Sequence, residues 1–524
     1  MKRILLLVIV LLGWGVAYGH NIVTYHDTEV EATEAYINGN NFQKDLLLYA
    51  DMLGDTHPYF ADSKHRAALD KRVRKLYKEC GTLSDVAEFR ILLTKLATSL
   101  NDGHTAIYNL APSNTIFPVR LTIDGDAPII VDLCAEGLND ILGKEVRSIN
   151  GKSPKQILKQ ARELLSADND VNFENLATEY LMLTNFWTML GMSSQELHLT
   201  FADKSSTTVN AIDRYWQELK IVQLQQQQSN RVTAPRRVLF DYQIFDKEGV
   251  CYLQFNQFAD RVTHPQMEQL ARFDEFMSQM MADIEAKEIN TLVVDLQYNS
   301  GGNSALGNVL LSWLKPFGEI EQYSADVRIS ELMLERYPYY KEFTYDGKPL
   351  ELGRVYSAPE FDQNREVQSS GNISQDSTYH VLNLDPERIF KGDVIFIQGK
   401  DTFSSATLLL TTARDNGIGQ IVGEVSGGKP SHYGDILFCI LPNTTTTVTV
   451  SHKHFIRPNR AKVECEYLTP DVLIDTNNPD KDLVWEWVVA NCTKPTKSVK
   501  SVKSVKNEDD SYLWDTIYSP SMNQ

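Results

Sequence analysis

The stretch Val394-Ile-Phe-Ile-Gln-Gly-Lys-Asp-Thr-Phe-Ser-Ser-Ala-Thr-Leu-Leu-Leu410 decides how this chain is read. Its first four residues, apolar and mostly β-branched, predict a strand buried on both faces. A polar turn follows, and Ser404 and Ser405 then open an apolar helix. A hydroxyl at that junction sits among the unpaired N–H groups and positive dipole end of the helix. Such a place suits an oxyanion, and a serine Oγ beside it suits an acyl nucleophile. A plain helix cap by either serine uses the same residues. The segment is not Gly-x-Ser-x-Gly, so the α/β-hydrolase motif does not apply.

Outward from this segment the pattern repeats. Leu292-Val-Val-Asp-Leu296 is a buried-type strand running into Asp295-Leu-Gln-Tyr-Asn-Ser-Gly-Gly-Asn303. The paired glycines Gly301 and Gly302 let the backbone approach a ligand closely, or simply make a tight loop. Val250–Phe255 predicts another strand, and 265–288 a helix with Met267, Leu270, Phe273, Met277, Met280 and Ile284 on one face. Strands alternating with helices predict an α/β domain over 236–490. Before it, 223–235 is polar and glutamine-rich, an exposed connection. Residues 113–222 read as a β-rich module with one or two helices: strands at 117–123, 129–133 and 143–152, the last into an Asn-Gly turn, and a helix over 154–165. From about Asn40 to Leu100, within an N-terminal region taken as 20–112, the pattern is helical. Val86, Phe89, Leu92, Leu93, Leu96 and Leu100 lie on one face, with Ser84 or Asp85 placed to cap. That helix ends at Asn101-Asp-Gly-His-Thr105, followed by β-prone Ala106-Ile107-Tyr108.

The two ends have their own character. Met1-Lys2-Arg3, an apolar run from Ile4 to about Val16, and Ala17-Tyr18-Gly19 are the three parts of an export signal, so 1–19 is expected to be a signal peptide. The mature chain is then expected to be exported, periplasmic or extracellular, with no integral membrane span. Residues 491–524 repeat Ser-Val-Lys and then turn acidic, which predicts a flexible tail.

Composition narrows the function. The chain has 524 residues with 51 Lys+Arg against 69 Asp+Glu, a net charge of −18. That balance argues against nucleic-acid binding, which needs a basic face. Cysteines 80, 134, 251, 439, 465 and 492 lack zinc-module spacing. Gly423-x-x-x-x-Gly428-Lys429 imitates a phosphate loop. Pro430 replaces the Ser/Thr, however, and a strand follows where a helix belongs, so no nucleotide is expected. His452 and His454 share a strand face and read as a solvated face rather than a metal pair. No metal or other cofactor is expected.

Taken in order, four pieces resemble one known family. They are Asp-x-x-x-Asn-x-Gly-Gly from Asp295, Thr-Phe-Ser-Ser-Ala from Thr402, Ile421-Val-Gly-Glu-Val-Ser-Gly-Gly-Lys429, and Glu464-x-x-x-x-x-Pro470-Asp471. The chain resembles the C-terminal processing (tail-specific) serine peptidases and the related tricorn-core peptidases over about 252–475. Asp102-Gly-His-Thr105 matches a further motif of the tricorn-like branch. The resemblance implies a ClpP/crotonase-like catalytic domain at 236–490, an N-terminal helical domain at 20–112 and a PDZ-like insert at 113–222. It also implies a serine endopeptidase acting on a peptide or protein through an acyl-enzyme on Ser404. The oxyanion donors would be the N–H of Ser405 and that of Gly301 or Gly302.

Two general bases are consistent with the resemblance. The processing branch points to Lys429, whose pKa would have to fall from about 10.4 toward 7–8. The tricorn-like branch points to His104, oriented by Glu464, and imidazole needs far less tuning. Pro430 and Tyr433 depart from the processing pattern while Gly103-His104-Thr105 is intact, which favours Ser404, His104 and Glu464 over a Ser404–Lys429 dyad. The competing class is a non-catalytic protein of the same fold that binds a peptide or apolar ligand, with Ser404 capping a helix.

Overall fold

The computed structural model describes residues 23–24, 34–123, 125–135, 137–213, 221–223, 231–236, 238–357, 384–463, 465–476, 478 and 481–492. The expected signal peptide 1–19, the tail from 493 onward and Glu464 lie outside the described residues.

The predicted α/β half is built on a six-stranded sheet. In spatial order its strands are Phe240–Phe245, Val250–Phe255, Thr291–Asp295, Asp393–Gln398, Gln420–Gly423 and Val472–Leu473. Only the first pair is antiparallel. Side chains alternate between two covered faces, as a period of two requires. Cys251, Leu253, Phe255, Leu292, Val294 and Phe396 meet the helices Phe273–Ala286, Ala305–Ser312 and Ser405–Asp415. Val250, Tyr252, Val293, Ile395 and Ile397 meet Val484 and Val488 of the helix Leu483–Asn491. Apolar runs such as Val394–Ile397 are continuous because both faces are dry.

The helix expected from Pro265 begins later, at Phe273. Asp260 accounts for the difference. Its carboxylate takes the Phe273 N–H at 2.9 Å, while 264–270 forms turns whose N–H groups bond three or four residues back. The capping acid lies thirteen residues upstream, beyond the reach of a local start signal.

A second sheet was not evident in the sequence. His432–Ile440, Thr447–Ile456, Ser324–Arg328 and Val355–Ser357 form an antiparallel set, with Val23–Thr24 parallel at one edge. Against it packs the N-terminal region. Helix Val86–Ala97 is capped by Asp85, whose carboxylate accepts the Ala87 and Glu88 N–H groups, and buries Phe89, Leu92, Leu93 and Leu96. Helix Asn41–Thr56 buries Leu46, Tyr49 and Leu53. These side chains, Val327, Leu437, Val448 and Val450 of the second sheet, and Phe117 and Trp187 of the 113–213 region belong to one continuous core. Apolar packing therefore crosses the division drawn near residue 112. Among the described residues between 113 and 223 there are three small antiparallel sheets. Helices Pro154–Arg162, Asp170–Tyr180 and Thr184–Met189 accompany them.

A buried ion pair joins the two halves. Arg457 forks onto Asp415, the last residue of the helix that Ser405 opens, at 3.0 and 2.6 Å. Both side chains are within 3% of complete burial. Removing one partner strands the other charge, at a cost of about 3–5 kcal/mol. Arg457→Met is accordingly expected to lower the unfolding free energy by about that amount, read as a lower urea midpoint at unaltered slope; an unchanged midpoint would show the pair to be dispensable.

Candidate active site

The turn at 399–404 is held from below. Thr402 Oγ1 donates to Leu296 O at 2.9 Å and accepts Gly399 N–H at 3.0 Å, and Phe403 N–H donates to Asn299 O at 3.0 Å. This forces Ser404 to φ 50°, ψ −123°, an unusual conformation for a residue with a Cβ. Ser404 precedes the helix, yet its side chain makes no capping bond. Its hydroxyl lies 3.0 Å from His104 Nε2, across 300 residues of chain. The pair expected from the sequence is thus brought together, and the backbone is strained in the way nucleophile turns are, despite the missing Gly-x-Ser-x-Gly pattern.

His104 is fixed from several sides. Asp102 Oδ1 accepts its N–H at 2.9 Å, and its carbonyl accepts the Thr449 hydroxyl at 2.8 Å. The predicted strand at 106–108 is a short pairing with the second sheet, through Tyr108 N–H to Thr447 O and Thr449 N–H to Ala106 O, both 2.9 Å. The imidazole is sandwiched between Phe403 (ring centroids 4.8 Å apart) and His432 (5.4 Å). Its Nδ1 lies 3.6 Å from Asp102 Oδ1, an ion-pair rather than a hydrogen-bond distance.

Asp102 is itself buried, taking the Ser451 hydroxyl at 2.7 Å and standing 3.1 Å from His57 Nε2. Burial would raise its pKa, but the imidazoles of His104 and His57 hold it well below the carboxylate range. Burial likewise disfavours charge on His104, and Asp102, Asp168 and Asp435 outweigh it, so its pKa lies above 6.5. His432 goes the other way. Burial and the neighbouring His104 push it down to about 3, so it stays neutral.

The expected oxyanion donors are sorted by their bonds. Gly301 N–H is taken by Asn299 Oδ1 at 2.8 Å. That leaves Gly302 N–H, whose carbonyl accepts the Ser405 hydroxyl at 2.6 Å, and Ser405 N–H, the first of the helix. Gly301 matters for space instead. At φ +108° a Cβ there would lie 2.7 Å from Ser404 Cβ. Gly301→Ala should therefore displace the hydroxyl and slow fluorophosphonate labelling by about 10²-fold or more; labelling at the parental rate would contradict this.

Lys429 is nearby but otherwise engaged. Its ammonium pairs with Glu466 at 2.9 Å, and among the described residues no hydrogen bond joins it to Ser404. The loop that imitates a phosphate cradle wraps the helix at Ser405, since a Cβ on Gly428 would meet Thr407 Oγ1 at 2.3 Å. The strand His432–Ile440 follows it. His452 is fully buried rather than part of a solvated face, with its ring against Tyr337 and Asp435, while His454 packs on Tyr433.

His57, Asp168, Ser451 and His432 entered no sequence motif, and Phe403 entered one without a role of its own. Asn169, three residues before Asn172, did carry a legible cap signal, and it accepts the Asn172 N–H at 2.9 Å. For metal, ligand atoms of Asp102, His104 and Asp168 lie within 4.8 Å of one another. Both carboxylates already accept hydrogen bonds.

The profile of peptidase family S41 matches residues 249–474, which hold every strand of the six-stranded sheet except Phe240–Phe245, together with the Gly301-Gly302 turn and Ser404. This segment is an S41 peptidase domain. The chain is accordingly a serine-type peptidase. Among solved structures it is similar to mature CPAF, with a TM-score of 0.58 and 14% identity over 86% of this chain and 95% of that one. Mature CPAF complexed with lactacystin gives 0.59 and 14% over 86% and 96%. At such identity these likenesses show the fold alone, and they extend it well beyond the S41 segment. No curated protein matches the chain. Among the described residues no helix is long and apolar enough to cross a membrane.

Proposed function

We propose that the chain is an exported serine endopeptidase that cleaves peptide bonds through an acyl-enzyme on Ser404, with His104 as general base. The observation that carries this is the 3.0 Å approach of His104 Nε2 to the Ser404 hydroxyl. Ser404 Oγ bonds to the substrate carbonyl carbon as its proton passes to His104 Nε2. The carbonyl oxygen gains the electron pair and meets the N–H groups of Gly302 and Ser405. Collapse breaks the C–N bond, and His104 delivers its proton to the leaving amine. Water then repeats the sequence and frees Ser404.

In this reading Nδ1–H must face a carboxylate. Asp102 stands 3.6 Å away, and the family resemblance supplies Glu464 as well. The Lys429–Glu466 pair at 2.9 Å favours His104 over a lysine base. Export rests on the Met1–Gly19 pattern, and a PDZ-like character of the insert rests on the resemblance. A fluorophosphonate tests the chemistry: labelling of Ser404 that vanishes in Ser404→Ala supports a peptidase. Folded protein that takes no label supports a non-catalytic binder.

A further inference from the structure

Asp168 belongs to the 113–222 insert, not to the loops bearing either candidate base, yet it is 2% exposed and stands beside His104. One of its oxygens accepts Gly103 N–H at 2.7 Å and the other accepts Lys429 N–H at 3.4 Å. It therefore straps the loop carrying His104 to the loop carrying Lys429. Its own backbone is fixed, because its N–H donates to Asn172 Oδ1 at 3.1 Å. The same helix edge reaches the S41 domain twice more, through Asn169 Nδ2 to Glu466 O at 3.0 Å and Asn175 Nδ2 to Lys400 O at 2.6 Å. Each oxygen faces an N–H donor, so the strap itself suits a carboxylate: an amide would offer one acceptor and turn its NH2 toward the other donor. The charge so buried stands close enough to His104 to act on it as well.

We propose that Asp168 is a positioning residue for the acyl transfer, holding the His104 loop and sharing with Asp102 the charge that stabilises the His104 imidazolium. The proposal rests on the peptidase reading above. When Ser404 Oγ bonds to carbon and its proton moves to His104 Nε2, the new positive charge lies within reach of both carboxylates. The other groups facing His104 are Asp435, Ser404, Phe403 and neutral His432. Those facing Asp168 are His104, Asp102 and the Gly103 and Lys429 N–H groups, while the Lys429 ammonium is held by Glu466. Burial, against the opposing pull of His104, pushes Asp168 up to about 6.

The sign follows. Neutral His104 is the working form, and nearby negative charge raises its pKa. Loss of that charge lowers it, so the acid limb of activity moves to lower pH while the weaker base slows the plateau. The test is the fluorophosphonate labelling rate of Ser404 from about pH 5 to 9, with Tm, for the parent, Asp168→Asn and Asp168→Glu. Asp168→Asn should label about 10- to 100-fold more slowly on the plateau, with its acid limb displaced downward. Asp168→Glu should recover most of the rate and the parental limb. A parental limb and rate in Asp168→Asn overturns the proposal. So does equal loss in both variants with a lowered Tm, or, should Asp168→Asn not fold, a folded Asp168→Glu that stays slow. A parent that takes no label removes the peptidase reading itself, a result distinct from a labelled parent whose limb does not respond to Asp168.

Discussion

Ser404→Ala is expected to abolish peptide hydrolysis, lowering turnover by about 10⁴-fold or more while leaving the fold intact. Two features of the site make the effect large. The hydroxyl is the atom His104 approaches at 3.0 Å, and no capping bond would be lost with it. The unfolding midpoint should change little. Alanine keeps the Cβ of Ser404, and the φ of 50° goes with the turn at 399–404, whose bonds do not involve the hydroxyl. Turnover within tenfold of the parent would mean that another residue performs the attack.

His104→Ala is expected to slow acylation by about 10³-fold or more, and Lys429→Ala by far less. The contrast follows from placement. His104 is 10% exposed and held between Phe403 and His432, with Nε2 on the hydroxyl. Lys429 is committed to Glu466, so its loss removes one partly exposed ion pair. Assaying the two variants side by side makes the result independent of substrate choice. The reverse ranking would replace the triad with a Ser404–Lys429 dyad.

Much of the site was legible because its chemistry lies in short, contiguous turns. Val394–Ile397 read as a doubly covered strand, and it is one. Ser404 and the Gly301-Gly302 turn were named from local pattern, and His104 from the resemblance to the tricorn-like branch. What escaped depends on contacts between distant residues. His57 and Ser451 converge on Asp102 from 45 and 349 residues away, and no local spacing encodes that. The second sheet was illegible for a related reason. Its strand at 324–328 pairs with 355–357 across an intervening helix and turns, and on its other side with residues 453–456, far along the chain. Which of the two glycine N–H groups is already bonded depends on Asn299, whose Oδ1 takes that of Gly301. The late start of the 273–286 helix likewise depends on Asp260, an acid outside any capping window.

The fold also sets a timetable. Ser404 Oγ and His104 Nε2 stand 3.0 Å apart but 300 residues apart along the polymer. The loop bearing His104 is anchored to Thr447, Thr449 and Ser451. A ribosome must therefore release nearly the entire chain before imidazole and hydroxyl can meet. A nascent chain carries His104 long before Ser404, and the loop bearing His104 lacks its anchors until Thr447, Thr449 and Ser451 have emerged.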